Sequence, residues 1–128
     1  MYGQPMAGSS STSKPENRLI SDEHEEEILL PIPPGYRYFQ NIDQYPPGKD
    51  AKVEGDKLLV TMKYQLNGKT LTDHYQMSLT EIERKVNGKG KFCMTATGKQ
   101  TQLVITYLYL SYGEDFVDMQ WQGTVFVK

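Results

Sequence analysis

The stretch DKLLVTMKYQLNGKTLTDHYQMSL, residues 56–79, decides the fold class. In its first half apolar side chains recur at every second position, the spacing of a half-buried strand. That face holds Leu58, Val60, Met62, Tyr64 and Leu66. Asn67-Gly68 then forms the dipeptide that most favours a two-residue hairpin turn, and the alternation resumes after it. We therefore predict an antiparallel hairpin with one buried face.

Toward the C-terminus the pattern predicts one short helix and three more strands. Ser78-Leu79-Thr80-Glu81 fits a capping box, which predicts a helix from Leu79 to Val86. Strands are predicted over 91–97, 102–112 and 115–127, the middle one apolar on both faces and so central. Gly123 indicates a bulge. The predicted fold class is mainly β, with α+β as the alternative: an antiparallel sheet or small sandwich of about five strands with one short helix.

Toward the N-terminus the chain becomes polar and acidic. Residues 1–17 are rich in Ser, Gly and Pro and predict disorder, whereas residues 19–30 predict a transient helix. Residues 37–50 predict ordered coil. We expect a disordered acidic tail with a proline-rich junction over 1–35, and a single β-rich globular domain over 36–128.

Composition narrows the function classes. The 128 residues suffice for one domain, and a single Cys with two His predicts no dedicated zinc site. One Cys allows no internal disulfide and fits a reducing, intracellular compartment. No apolar run is long enough to predict a transmembrane helix. We predict no cofactor and no metal.

The residue pattern also argues against an enzyme. Asp73 and His74 are adjacent in a predicted strand, so they point to opposite faces and cannot form a dyad. Asp73 is in phase with the core face, where it would sit at a sheet margin or cap a hairpin. Cys93 is predicted to be a buried structural thiol. We therefore expect no catalytic residues.

Five basic residues occur between positions 84 and 99 with no acidic residue among them. They are Arg84, Lys85, Lys89, Lys91 and Lys99. Such a stretch attracts phosphates or anionic lipid headgroups. The alternative interpretation is a solvated loop whose lysines only keep the protein soluble. With Phe92 as its single aromatic residue, the stretch lacks the stacking platform of a nucleic-acid-binding surface, so we expect no sequence-specific contact with nucleic acid.

The quartet Pro33-Pro34-Gly35-Tyr36 reads as PPxY, the ligand pattern of WW domains. The site residues under this hypothesis are Pro33, Pro34 and Tyr36. The alternative is a stiff hinge in which the prolines lead into the domain and Tyr36 packs on it. Two weaker patterns lie just before it: an acidic dileucine outline at 25–30 and a SUMO-interacting pattern at 27–32.

The layout of tail, PPxY motif and compact β domain with a basic loop resembles the matrix proteins of negative-strand RNA viruses, the rhabdovirus type in particular. The resemblance implies that the motif is a late-budding motif that recruits WW-domain ubiquitin ligases. It also implies that the folded domain self-associates and meets membrane and nucleocapsid, in the cytoplasm, at the membrane periphery or in the virion. The tail departs from that family, because it carries two basic and six acidic residues where the family's is usually basic.

The sequence therefore predicts a non-enzymatic adaptor or structural protein that docks partners through PPxY and whose β domain self-associates or contacts an anionic surface. The alternative is a small β-barrel carrier of a lipophilic ligand. Its cavity would be lined by aromatic side chains, namely Tyr64, Tyr75, Tyr107, Tyr109 and Trp121.

Overall fold

The computed structural model describes residues 17–21 and 30–128, which form eight strands and one helix. The elements are β1 (Asn17–Ile20), β2 (Arg37–Ile42), β3 (Lys49–Glu54), β4 (Lys57–Leu66), β5 (Lys69–Ser78), α1 (Leu79–Val86), β6 (Met94–Thr97), β7 (Thr101–Tyr112) and β8 (Val117–Val127). The predicted fold class, mainly β and antiparallel, is confirmed. Several predictions fall outside the described residues. They are the disorder over 1–16, most of the transient helix, and the acidic parts of the dileucine and SUMO-interacting patterns.

The strands form two antiparallel sheets. In the five-stranded sheet the order is β1, β7, β8 and β2, and β6 also pairs with β7. Strands β1 and β6 share one side of β7, because β1 pairs with residues 109–112 and β6 with residues 102–105. The second sheet is the meander β3–β4–β5. The two sheets pack face to face around one apolar core.

The β4–β5 hairpin confirms the prediction from residues 56–79. Leu66 pairs with Lys69 across the turn, and Asn67 and Gly68 have φ of 53° and 77°. Two positive φ values in a two-residue loop define a type I′ turn, whose twist matches that of the strands. The alternating face of β4 is buried as predicted, at Leu58, Val60, Met62 and Tyr64.

A bulge in β7 changes which of its side chains face the core. Ile105 pairs with Gly123 and Tyr107 with Gln122, so Thr106 is an extra residue opposite the glycine that predicted a bulge. Leu103 and Ile105 are buried before the bulge, and Leu108 and Leu110 after it. Tyr107 and Tyr109 consequently lie on the other face and are only half-buried.

Helix α1 has the bounds that the capping box predicts. The Ser78 side chain accepts the backbone N–H of Glu81 at 3.2 Å. Asp56, in the β3–β4 turn, adds a second cap: its carboxylate accepts the hydroxyls of Ser78 and Thr80, each at 2.8 Å. The helix is therefore fixed at its N-terminus both by its own strand and by the neighbouring turn.

Two predictions about the N-terminal third are wrong. Residues 17–20 form β1 rather than tail or transient helix, and Ser21 anchors the strand by accepting the N–H of Leu108 through its Oγ at 2.7 Å. Residues 37–50 are not all coil, because β2 lies within them and β3 begins at Lys49. The fold therefore recruits residues that precede the expected domain boundary at position 36.

The loop between β2 and β3 covers the part of β8 that β2 leaves unpaired. The backbone N–H of Trp121 donates to the Gln44 carbonyl at 3.1 Å, and the ammonium of Lys49, the first residue of β3, donates to the Met119 carbonyl. Burial lowers the pKa of Lys49, and the nearby Asp118 carboxylate opposes that shift. This loop thus satisfies backbone groups that would otherwise lie open at a sheet edge.

Candidate functional site

The PPxY quartet folds as a tight turn on the protein surface. The Tyr36 N–H donates to the Pro33 carbonyl at 3.1 Å, and Gly35 has a φ of 84°. Proline fixes a negative φ at Pro34, and a positive φ at the next residue makes this a type II turn. Pro34 and Gly35 are exposed, whereas Pro33 and Tyr36 are half-buried.

Tyr36 is held at the start of β2. The Lys128 Nζ lies 5.7 Å from the centre of the Tyr36 ring, within the range of a cation–π contact. Arg37 begins β2 opposite Val127, and its guanidinium donates to the Lys128 carbonyl at 3.5 Å. The quartet is therefore both a tight turn that leads into the domain and a segment exposed on the protein surface.

Four of the five predicted basic residues lie together at the C-terminal end of α1. Arg84 and Lys85 occupy the last helical turn, and Lys89 and Lys91 follow in the loop to β6; all four are exposed. Cations at this position complement the partial negative charge of a helix C-terminus. We call Arg84, Lys85, Lys89 and Lys91 the basic end.

Lys99 does not belong to the basic end. It lies in the turn between β6 and β7, beyond a four-residue strand that spans on the order of 13 Å. Lys99 is therefore separated from the basic end, because β6 carries it to the opposite end of the hairpin. Contact of these five residues with an anionic surface stays a prediction.

Asp73 holds the β6–β7 turn, as a hairpin cap. Its carboxylate accepts the backbone N–H groups of Lys99, Gln100 and Thr101 at 2.8, 3.0 and 2.9 Å. It also accepts a hydrogen bond from the Thr101 hydroxyl at 2.6 Å and one from the backbone N–H of the adjacent His74 at 3.0 Å. Burial alone would raise the pKa of Asp73, but these hydrogen bonds outweigh it and lower the pKa below its usual value.

A row of hydroxyl groups continues inward from that carboxylate. Tyr75 and Thr101 are hydrogen-bonded through their hydroxyls, and the Tyr75 and Tyr64 hydroxyls lie 2.8 Å apart. Because ionised Asp73 can only accept, Thr101 donates to Asp73, Tyr75 to Thr101 and Tyr64 to Tyr75. Burial raises the pKa of both tyrosines, so both stay neutral. All four side chains are at most 2% exposed, and the row links the two sheets.

The remaining candidate reactive residues are dispersed. Asp73 and His74 do face opposite sides of β5, as predicted: Asp73 is buried, and the exposed His74 pairs through Nδ1 with the Thr61 hydroxyl at 2.9 Å. Cys93 is exposed in the loop before β6, which corrects the expectation of a buried thiol. Its neighbours Phe92 and Met94 point inward, so Cys93 falls on the outward phase.

The aromatic residues expected to line a carrier cavity do not converge. Tyr64, Tyr75 and Trp121 are buried in the core, whereas Tyr107 and Tyr109 lie on the other face of β7. A groove of about 560 Å³ between the end of β2 and the β4–β5 hairpin includes only Tyr64 of the five. The carrier alternative therefore stays a prediction.

Within residues 17–21 and 30–128, no group of three or more His, Cys, Asp or Glu side chains could hold a metal ion. The same part of the chain contains no helix with the length and apolar character needed to cross a membrane. Comparison with protein-family models, with curated proteins and with solved structures finds no match to this chain. The resemblance to viral matrix proteins therefore stays a prediction.

Proposed function

We propose that this protein is a non-enzymatic adaptor or structural protein that docks a WW-domain partner through Pro33, Pro34 and Tyr36. Its β domain self-associates or contacts an anionic surface, in the manner of a viral matrix protein. In this proposal it acts in the cytoplasm or at the membrane periphery, and in the virion if it is viral.

The observation that carries the docking proposal is the surface position of the quartet. Pro34 and Gly35 are exposed, and the chain enters the sheet only at Arg37. A WW domain takes its ligand as an extended polyproline II segment, with prolines between aromatic rings and the tyrosine in a second pocket. A surface turn can open to that shape without disturbing the core, because its own backbone closure is one hydrogen bond.

The test is a titration of the full chain with a WW domain of the ubiquitin-ligase type, followed by proton–nitrogen NMR. We expect the signals of Gly35 and Tyr36 to shift, and Tyr36→Ala to abolish the shift. Tyr38→Ala is the matched control, because Tyr38 lies two residues later and is 53% exposed but outside the motif. Equal loss of binding in both variants, or no shift in the parent chain, would refute docking through PPxY.

The basic end supports contact with an anionic surface. Its four side chains are exposed in one helical turn and the adjoining loop, so they can approach a flat surface together. Each Lys or Arg near a membrane rich in anionic lipid adds about 1 kcal/mol of binding. A phosphate-bearing nucleocapsid offers the same charge.

Vesicle co-sedimentation tests this contact. We expect binding to vesicles that contain phosphatidylserine, weakening as salt is raised, and loss of binding in a variant with Lys85, Lys89 and Lys91 changed to Gln. The control changes Lys52, Lys57 and Lys63 to Gln on the β3–β4 sheet, which removes the same charge elsewhere. If both triple variants lose binding equally, net charge rather than the basic end is responsible.

A further inference from the structure

The quartet is closed in a conformation that a WW domain does not bind. A polyproline II ligand needs φ near −75° at every position, whereas Gly35 has a φ of 84°. The hydrogen bond from Tyr36 to Pro33 folds the motif back on itself at 3.1 Å. The turn and the extended ligand are therefore mutually exclusive shapes of the same four residues.

The tyrosine is also engaged. Tyr36 is half-buried, with the Lys128 ammonium 5.7 Å from its ring centre, although a WW domain requires this ring in its own pocket. Docking thus has to break a backbone hydrogen bond, change φ at Gly35 and withdraw Tyr36 from Lys128.

We propose that the Pro33–Tyr36 turn is a latch that closes the docking motif, so that a WW domain binds only the fraction of molecules in which the turn is open. This inference rests on the proposed docking function and adds its regulation. The apparent dissociation constant is the intrinsic one divided by the open fraction, so any change that opens the turn tightens binding.

Gly35 allows the latch to be tested without touching the contact surface. A Cβ at this position would meet nothing within 4 Å, so Gly35→Ala introduces no clash. A residue with a Cβ strongly disfavours positive φ, so the substitution destabilises the turn and favours the open form. Position 35 is also the unspecified residue of PPxY, so the WW domain reads the same two prolines and tyrosine.

The experiment measures the affinity of a WW domain of the ubiquitin-ligase type by calorimetry, for the full chain and for a peptide of residues 30–40. We expect the peptide to bind more tightly than the parent chain, and Gly35→Ala to tighten binding by the full chain about five- to thirty-fold. In the peptide, which has no fold to hold the turn, the same substitution should change affinity less than about twofold. Lys128→Gln, like Gly35→Ala, should tighten binding of the WW domain to the full chain.

Gly55→Ala is the matched control, because Gly55 also has a positive φ of 60° with nothing within 4 Å of its Cβ position, but lies in the β3–β4 turn. It should leave WW affinity unchanged. Equal affinities of the peptide, the parent chain and Gly35→Ala would overturn the latch and leave docking intact. Equal tightening in chain and peptide would also overturn it, since the effect would then be on the contact itself. A peptide that does not bind at all would overturn docking and the latch together.

Discussion

The Asp73 carboxylate accepts the backbone N–H of Thr101 at 2.9 Å, although the two residues are 28 positions apart and lie in different sheets. This bond and its companions at Lys99 and Gln100 fasten the β6–β7 turn of one sheet to β5 of the other. A buried charge of this kind is stable only while every donor around it is in place.

Asp73→Asn should destabilise the fold. The amide of the variant keeps one acceptor oxygen. Its NH₂ group would face backbone N–H groups that donate to the carboxylate in the parent chain. We expect a loss of about 2–4 kcal/mol in the free energy of unfolding at pH 7, measured by urea denaturation. Asp50→Asn, at an exposed position of β3, is the control and should change stability by less than about 0.5 kcal/mol. A loss no larger than the control's would show that the carboxylate is dispensable.

The contribution of Asp73 should also depend on pH. Its pKa in the fold is lower than the ordinary value of 3.8, because the hydrogen bonds favour the ionised form. The stabilisation is therefore complete above about pH 5 and is lost as pH falls through the folded-state pKa. We expect the stability difference between the parent chain and Asp73→Asn to narrow between pH 5 and pH 2. A constant difference across that range would contradict the assignment.

Gly98 and Asp73 should be energetically coupled. A Cβ at Gly98 would lie 2.5 Å from the Asp73 Cγ, so Gly98→Ala must displace the carboxylate. We expect Gly98→Ala to cost about 2 kcal/mol or more in the parent chain and much less in an Asp73→Ala background. A double-mutant cycle by chemical denaturation measures the coupling. Additive effects would mean that Gly98 is needed for its backbone and not for the space it leaves.

The two buried tyrosines should respond unequally to loss of their hydroxyls. Tyr75→Phe leaves Tyr64 without its acceptor and removes the donor to Thr101, so we expect a loss of about 1–3 kcal/mol. Tyr64→Phe removes only the first donor of the row and should cost less than about 1 kcal/mol. Thermal unfolding of both variants decides the order. A larger loss for Tyr64→Phe would contradict the middle position of the Tyr75 hydroxyl in the row.

Cys93 should react with a thiol reagent in the native protein. Its side chain is exposed, so we expect one equivalent to react with Ellman's reagent without denaturant, and none in Cys93→Ser. A thiol that reacts only after unfolding would contradict this placement.

The parts of the fold that sequence reasoning predicted are those with local signals. The β4–β5 hairpin follows from alternation and Asn67-Gly68, and α1 follows from its capping box, both within a few residues. The strands that it missed are short and polar: NRLI in β1, RYFQNI in β2 and KDAKVE in β3. In β1 and β2 the pairing partners lie about 90 positions away, so no local pattern marks them.

At the candidate sites some missed features did have a signal. Proline followed by glycine at Pro34-Gly35 is the signature of a type II turn, which competes with the polyproline II interpretation of PPxY. Successive side chains of an extended segment point to opposite sides. Because Phe92 and Met94 point into the core, Cys93 between them points outward. The separation of Lys99 from the basic end also had a signal, because the strand predicted over 91–97 lies between Lys91 and Lys99.

The long-range pairing of β1 and β2 bears on synthesis. A ribosome makes Ile20 about 89 residues before its partner Tyr109, and Arg37 about 90 residues before Val127. At roughly 5–20 residues per second, these two strands wait on the order of 5–18 s for their partners, while β3, β4 and β5 close on one another as they emerge. During that interval β1 and β2 remain unpaired, whereas the strands of the β3–β4–β5 sheet already have their partners.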